Sequence, residues 1–139
     1  MSLFRVFDVA GSAMSAQSVR LNTTASNLAN ANSVSSSIDE TYKARYPVFQ
    51  AQLEEANAAH NDAVGVNVAG IIESDAPLVN EYNPNHPLAD KDGFIYRPNV
   101  NVMEEMANMI SASRSYQTNV QIAESAKQML NKTLTLGQG

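Results

Sequence analysis

The stretch from Pro98 to Leu136, PNVNVMEEMANMISASRSYQTNVQIAESAKQMLNKTLTL, constrains the fold more than any other because its start, period and stop signals agree. Pro98 blocks helix ahead of it, Asn101 suits an N-cap with Glu104 in capping-box position, and Gly137 stands where a C′ glycine belongs. Glu104 and Glu105 fall in the first turn and Lys127 and Lys132 near the end, as the helix macrodipole favours. The pattern predicts one helix of roughly 34 residues and about 50 Å, several times the usual globular length. Such a rod needs a partner and cannot fit inside a compact domain of this length, whose radius would be near ~14 Å, so an elongated molecule is expected.

Val102, Met106, Met109, Ser113, Tyr116, Val120, Ala123, Lys127, Leu130 and Leu134 alternate in steps of four and three, the spacing of a seam for a neighbouring helix. Met103, Ile110, Ile122, Ala126 and Met129 lie beside that seam and make the apolar face too broad for one partner. A second heptad occupies the N-terminus: Phe4, Phe7, Gly11, Met14, Ser18, Leu21, Ala25, Leu28 and Asn32. It is the natural partner for the first. Its remaining faces carry Ala, Ser, Thr, Gln and Asn, with Arg5, Asp8 and Arg20 the only charges, where a solvated coiled-coil helix would carry Lys and Glu. Either that outer face meets other protein, or the helix is weak and frayed, since Gly11 and the many Asn, Ser and Thr are mediocre helix formers.

Between the helices the period changes. Ser33 to Asp39 reads as a polar loop, and Tyr42 to Phe49 as a short strand that Pro47 confines to an edge or bulge. Gln50 to Asp62 fits a mobile loop or a short helix equally. Val64, Val66, Val68, Gly70 and Ile72 alternate cleanly and give the best strand, with Leu78 to Tyr82 expected to pair with it through a turn at Ser74 to Pro77. A turn-rich stretch, Asn83 to Pro87 and Asp90 to Gly93, precedes the apolar group Phe94, Ile95 and Tyr96. The predicted fold is mainly α with a small β-rich insert: residues 1–33 and 98–139 form a helical coiled-coil core, and residues 34–97 a β-rich middle segment.

A net charge of −5, with nine Lys and Arg scattered thinly, argues against nucleic acid as a partner. The chain has no cysteine, which excludes disulfides, thiolate metal sites and a cysteine nucleophile. No apolar run reaches the ~18 residues of a membrane span, and MSLFRVFDVAGSAMS lacks the apolar core of a cleaved signal, so export by that route is not expected. Neither His60 nor His86 has ligand-spaced neighbours, and both read as turn or surface residues. Asp90-Lys91-Asp92-Gly93 faintly resembles a Ca²⁺ loop, but Gly93 comes two positions early and Asn101 stands where the bidentate Glu belongs, so a turn is expected. Met103, Met106 and Met109 fit core filling better than a soft-metal stripe. With no G-x-S-x-G context and no phosphate loop, no enzyme, cofactor, metal or small-molecule substrate is expected.

The segment ASNLANANS, carrying Ala25, Ser26, Asn27, Ala29, Asn30 and Asn32, resembles the ASN-x-AN-x-NT signature of the bacterial flagellar rod and hook axial proteins, with Ser33 in place of the usual Thr. VAGIIESDAPL (68–78), NPNHPLADKDGFIYRPNVNVMEEMANMISASRSYQTNVQ (83–121) and AKQML (126–130) are similar to one kind of member in particular, a subunit of the proximal rod. The likeness covers most of the chain and departs chiefly at 33–45, where SVSSSIDETYKAR replaces an expected Gly/Pro-containing loop. It implies a structural subunit of a periplasmic, torque-transmitting shaft in the basal body, exported unfolded through the flagellar type III apparatus without a cleaved signal. The implied partners are further copies, other rod proteins, the membrane ring and a rod-base adaptor. The interface residues expected on this reading are Phe4, Phe7, Met14, Leu21 and Leu28 against Val102, Met106, Met109, Tyr116, Val120, Leu130 and Leu134. A soluble oligomeric helical binding module or export adaptor is the alternative from a different class.

Overall fold

The structure, a computed structural model, describes residues 3–52 and 64–137. Two long helices frame the chain: α1 at Leu3–Asn30 and α2 at Val102–Gly137, of 28 and 36 residues. Between them lie four strands, β1 (Arg45–Gln52), β2 (Gly65–Glu73), β3 (Val79–Tyr82) and β4 (Phe94–Arg97), paired as two separate antiparallel ribbons. Most of the stretch read as loop or short helix, from position 53 on, lies outside the described residues, as does His60, while Gln50, Ala51 and Gln52 extend β1.

The start of α2 follows its capping signal. Asn101 Oδ1 accepts from the Met103 and Glu104 amides at 3.1 and 3.4 Å, satisfying donors that a helix N-terminus leaves free. Its end does not follow the sequence. Gly137 closes the helix without a left-handed φ, so the expected C′ glycine is simply its last residue. α1 ends on bonds from Ala31 N to Leu28 O and from Ser33 N and Oγ to Asn30 O, which satisfy its last carbonyls.

The helices run antiparallel and in contact. Arg20 donates to Asn108 Oδ1 at 2.8 Å near the insert, and Val6 lines a groove with Ile122, Ala126 and Met129 near the far end. The β1–β2 ribbon lies along α1, close enough at its tip that a side chain at Gly65 would press on Ser12 Oγ, which accepts the Val66 amide at 3.1 Å. A register shift between Val48 and Phe49 follows Pro47 directly.

One strand pairing differs from expectation. Leu78 to Tyr82 does not pair with β2; β3 pairs with β4 in register from Val79↔Arg97 to Tyr82↔Phe94. The cause is the intervening loop. Asp90 Oδ1 accepts the Asp92 and Phe94 amides at 2.9 and 2.8 Å, and Gly93 turns with φ 83°, where a Cβ would meet the Tyr82 ring at 2.9 Å. That turn brings β4 back onto β3, with Tyr82 and Phe94 edge to face. β2 is taken by β1, and Ser74 donates to Ala44 O at 2.8 Å at the open end of that ribbon. The Asp90 loop is thus a turn, and His86 Nδ1 accepts the Leu88 amide within it at 3.1 Å. The loop read between the helix and β1 is tied down as well, by a two-bond bridge between Ser35 and Tyr96.

Candidate functional site

No described group of His, Asp and Glu is arranged to hold a metal ion, and the surface feature that stands out is apolar. The apolar residues that the helical pair buries fully are all alanines, while many of its large apolar side chains stay exposed. Among the described residues the buried positions of α1 are Ala10, Ala16, Thr23, Thr24 and Asn27, and those of α2 are Glu105, Ala112 and Ala126. Small side chains let the two backbones approach closely but bury little apolar area. Outside, α2 exposes Met103 (75%), Met106, Ile110 (54%), Ile122, Met129 and Leu136 (83%).

The seam residues read from the heptads divide by depth. Phe7, Met14, Leu21 and Leu28 on α1, and Met109, Val120 and Leu130 on α2, are half-buried. Phe4, Val102, Met106, Tyr116 and Leu134 are exposed in the single chain. Glu105, Ala112 and Ala126 each precede by one residue the heptad positions Met106, Ser113 and Lys127. Met103 and Met106 therefore do not fill a core within this chain, although helical spacing suggested it.

The asparagine-rich segment behaves differently. Asn27 is fully buried and bonded on three sides, to Tyr42 Oη and to the Arg45 amide and carbonyl. Asn30 donates to Ser26 O at 2.8 Å, Asn32 accepts from Arg97 at 3.3 Å, and Ala25, Ser26 and Ala29 are exposed. The segment ties α1 to β1 through Asn27 and to β4 through Asn32.

Electrostatics at this end of the molecule centre on Glu105. Its carboxylate is buried in the first turn of α2, and neither oxygen accepts a hydrogen bond of good geometry. Burial, and then the negative charge of Glu105, hold the Tyr46 hydroxyl protonated above its ordinary range. Burial is also the main cause of the upward shift at Tyr42, opposed by the Arg45 guanidinium, whose carbon lies 5.5 Å from the ring centroid. Sequence reasoning missed Ala112 and Asn99 as structural positions, and it placed Glu105 only as a first-turn acid and Tyr42 only as a strand residue. Periodicity weighted by side-chain size points to the large residues, and nothing local signals which polar groups meet across the fold.

Comparison with known proteins bears on both ends of this arrangement. Residues 7–35, covering most of α1 and the asparagine segment, match the family described as flagella basal body rod protein. Residues 91–136, covering β4 and α2, match the family described as flagellar basal body rod FlgEFG protein C-terminal. Over 139 residues the chain is 51% identical to the flagellar basal-body rod protein FlgC of Salmonella typhimurium, spanning 99% of this chain and all of the relative. With the same coverage it is 49% identical to FlgC of Yersinia enterocolitica and 41% identical to that of Buchnera aphidicola from Acyrthosiphon pisum. The chain belongs to the FlgC family. FlgC proteins are structural flagellar rod proteins and not enzymes, and nothing in these matches supports a soluble helical adaptor. The stretch 83–121, one of those that carry the resemblance, spans the β3–β4 turn, β4 and the first half of α2.

Proposed function

We propose that this FlgC-family chain is a subunit of the proximal rod, part of the basal-body drive shaft, and that it joins the rod through the outward apolar faces of its two helices. One observation carries the reading. Met103, Met106, Ile110, Ile122 and Met129 of α2 stay largely exposed in the single chain, so much of the apolar area that would stabilise long helices is not used within it. Neighbours that cover Met103, Met106, Ile110, Ile122 and Met129 complete the interface, with the helices packed as a coiled-coil core of residues 1–33 and 98–139 and the middle segment 34–97 outside it. Contacts of this kind between unlike patches do not close on themselves, and they build a helical tube suited to transmitting torque.

On this reading the partners are further copies and other rod proteins, with the membrane ring and a rod-base adaptor at its ends. The location is the periplasmic rod of the basal body, reached through the flagellar type III apparatus. No helix among the described residues is long and apolar enough to cross a membrane.

Two substitutions test the interface. Met106→Asp places a charge on the exposed face and is expected to leave the free chain folded while abolishing rod assembly and motility. Leu21→Asp, at a half-buried position, is expected to weaken the free chain by about 2 to 5 kcal/mol as well. Motile cells with intact basal bodies carrying Met106→Asp would refute the assignment of that face.

A further inference from the structure

Asn27 faces inward, so the outward apolar faces do not account for it. Its side chain accepts from the Arg45 amide at 2.9 Å and from Tyr42 Oη at 2.8 Å, and donates to the Arg45 carbonyl at 2.9 Å. A second asparagine grips the same strand from the other side. Asn99, two residues ahead of the α2 N-cap, accepts the Ala44 amide at 2.8 Å and donates to Ser74 O and Ala76 O at 3.3 and 2.7 Å. Ala44 between them is fully buried.

We infer that Asn27 and Asn99 form a two-sided clasp on Ala44-Arg45, the joint that fixes the β1–β2 ribbon at one angle to the helical pair. Hydrophobic burial does not supply that angle: Val48, Phe49, Ile71 and Ile72 of the ribbon are exposed, and apolar contact has no direction. Hydrogen bonds do have direction. A primary amide meets the requirement at both positions with separate atoms, a carbonyl oxygen that accepts and an amino group that donates. Asp at 27 would keep the acceptor contacts and lose the bond to the Arg45 carbonyl. Leu would leave the Arg45 amide and carbonyl without partners beside a closed interior. Asn27 lies three residues before the end of α1, so its amide is rigid with respect to that helix axis, while Asn99 is carried by the entry to α2. One amide per helix therefore holds the root of the insert. The clasp is a property of the single chain and stands whether or not that chain joins a rod.

The absence of cysteine permits spin labels at two introduced sites, Ser18→Cys on α1 and Asn67→Cys on β2, both exposed. In the full-length chain a single narrow label distance is expected. Asn27→Leu or Asn99→Leu should broaden it and speed hydrogen exchange at the Ala44 and Arg45 amides by about tenfold or more. Helix content by circular dichroism should stay constant. Asn27→Asp should give intermediate broadening, and it decides the matter if Asn27→Leu unfolds the chain. A distance that stays narrow with both asparagines replaced, or helix loss in step with the broadening in Asn27→Asp, would overturn the clasp.

Discussion

At the scale of single residues, polar side chains make most of the specific decisions in this molecule. Glu105 occupies a buried position in the first turn of α2, where the macrodipole favours a carboxylate but neither oxygen accepts a well-formed hydrogen bond. Glu105→Gln keeps the shape, removes the charge and supplies donors toward Tyr46. We expect a gain of about 1 kcal/mol in urea unfolding of the free chain; a loss of similar size would show that the charge itself is needed. Asp90 works in the opposite sense. The Phe94 amide foremost, with the Tyr96 hydroxyl and the Asp92 amide, holds its carboxyl below the ordinary carboxylate range. A depressed folded pKa gives stability that is complete above the unfolded value of about 4 and is lost as pH falls through the folded value. The Tyr82–Phe94 ring contact should therefore loosen in that acid window, followed by NMR, and Asp90→Ala should loosen it at every pH. Unchanged acid sensitivity in Asp90→Ala would assign the effect to another group.

At the scale of elements, both long helices and the best strand were legible in the sequence, because helix signals are local and repeated. Heptads, the Asn101 cap and acidic residues in the first turn all lie within a few residues of what they specify. The pairing of β3 was not legible. It depends on where Asp90 and Gly93 turn the chain, and short apolar runs such as Val79–Tyr82 fit more than one neighbour. The face of α2 that meets α1 was only partly legible, since Ala112 and Ala126 carry no size signal although they set how closely the helices approach. Ala112→Leu tests that approach. Ala112 is fully buried, so the added atoms have no room and the pair should lose about 1 to 3 kcal/mol. An unchanged midpoint of thermal unfolding would mean that the helices part there without cost.

At the scale of the whole molecule, burial is graded along its length. Asn27, Ala31, Thr41, Ala44, Ile95 and Glu105 gather at the insert end, whereas the far end of the helical pair holds little beyond Ala10 and Ala126. Long helices with so little buried apolar area draw their stability from packing that neighbours supply. The free chain should thus be firm where the ribbons join the helices and loose toward Phe4 and Leu136. Amide hydrogen exchange on the purified full-length chain and on assembled rods tests this most directly. We expect strong protection around residues 20–31, 41–46 and 95–108 in both states, with protection of residues 4–14 and 122–136 appearing only in the rod. Equal protection from end to end of both helices in the free chain would contradict it, because the pair would then be complete without neighbours.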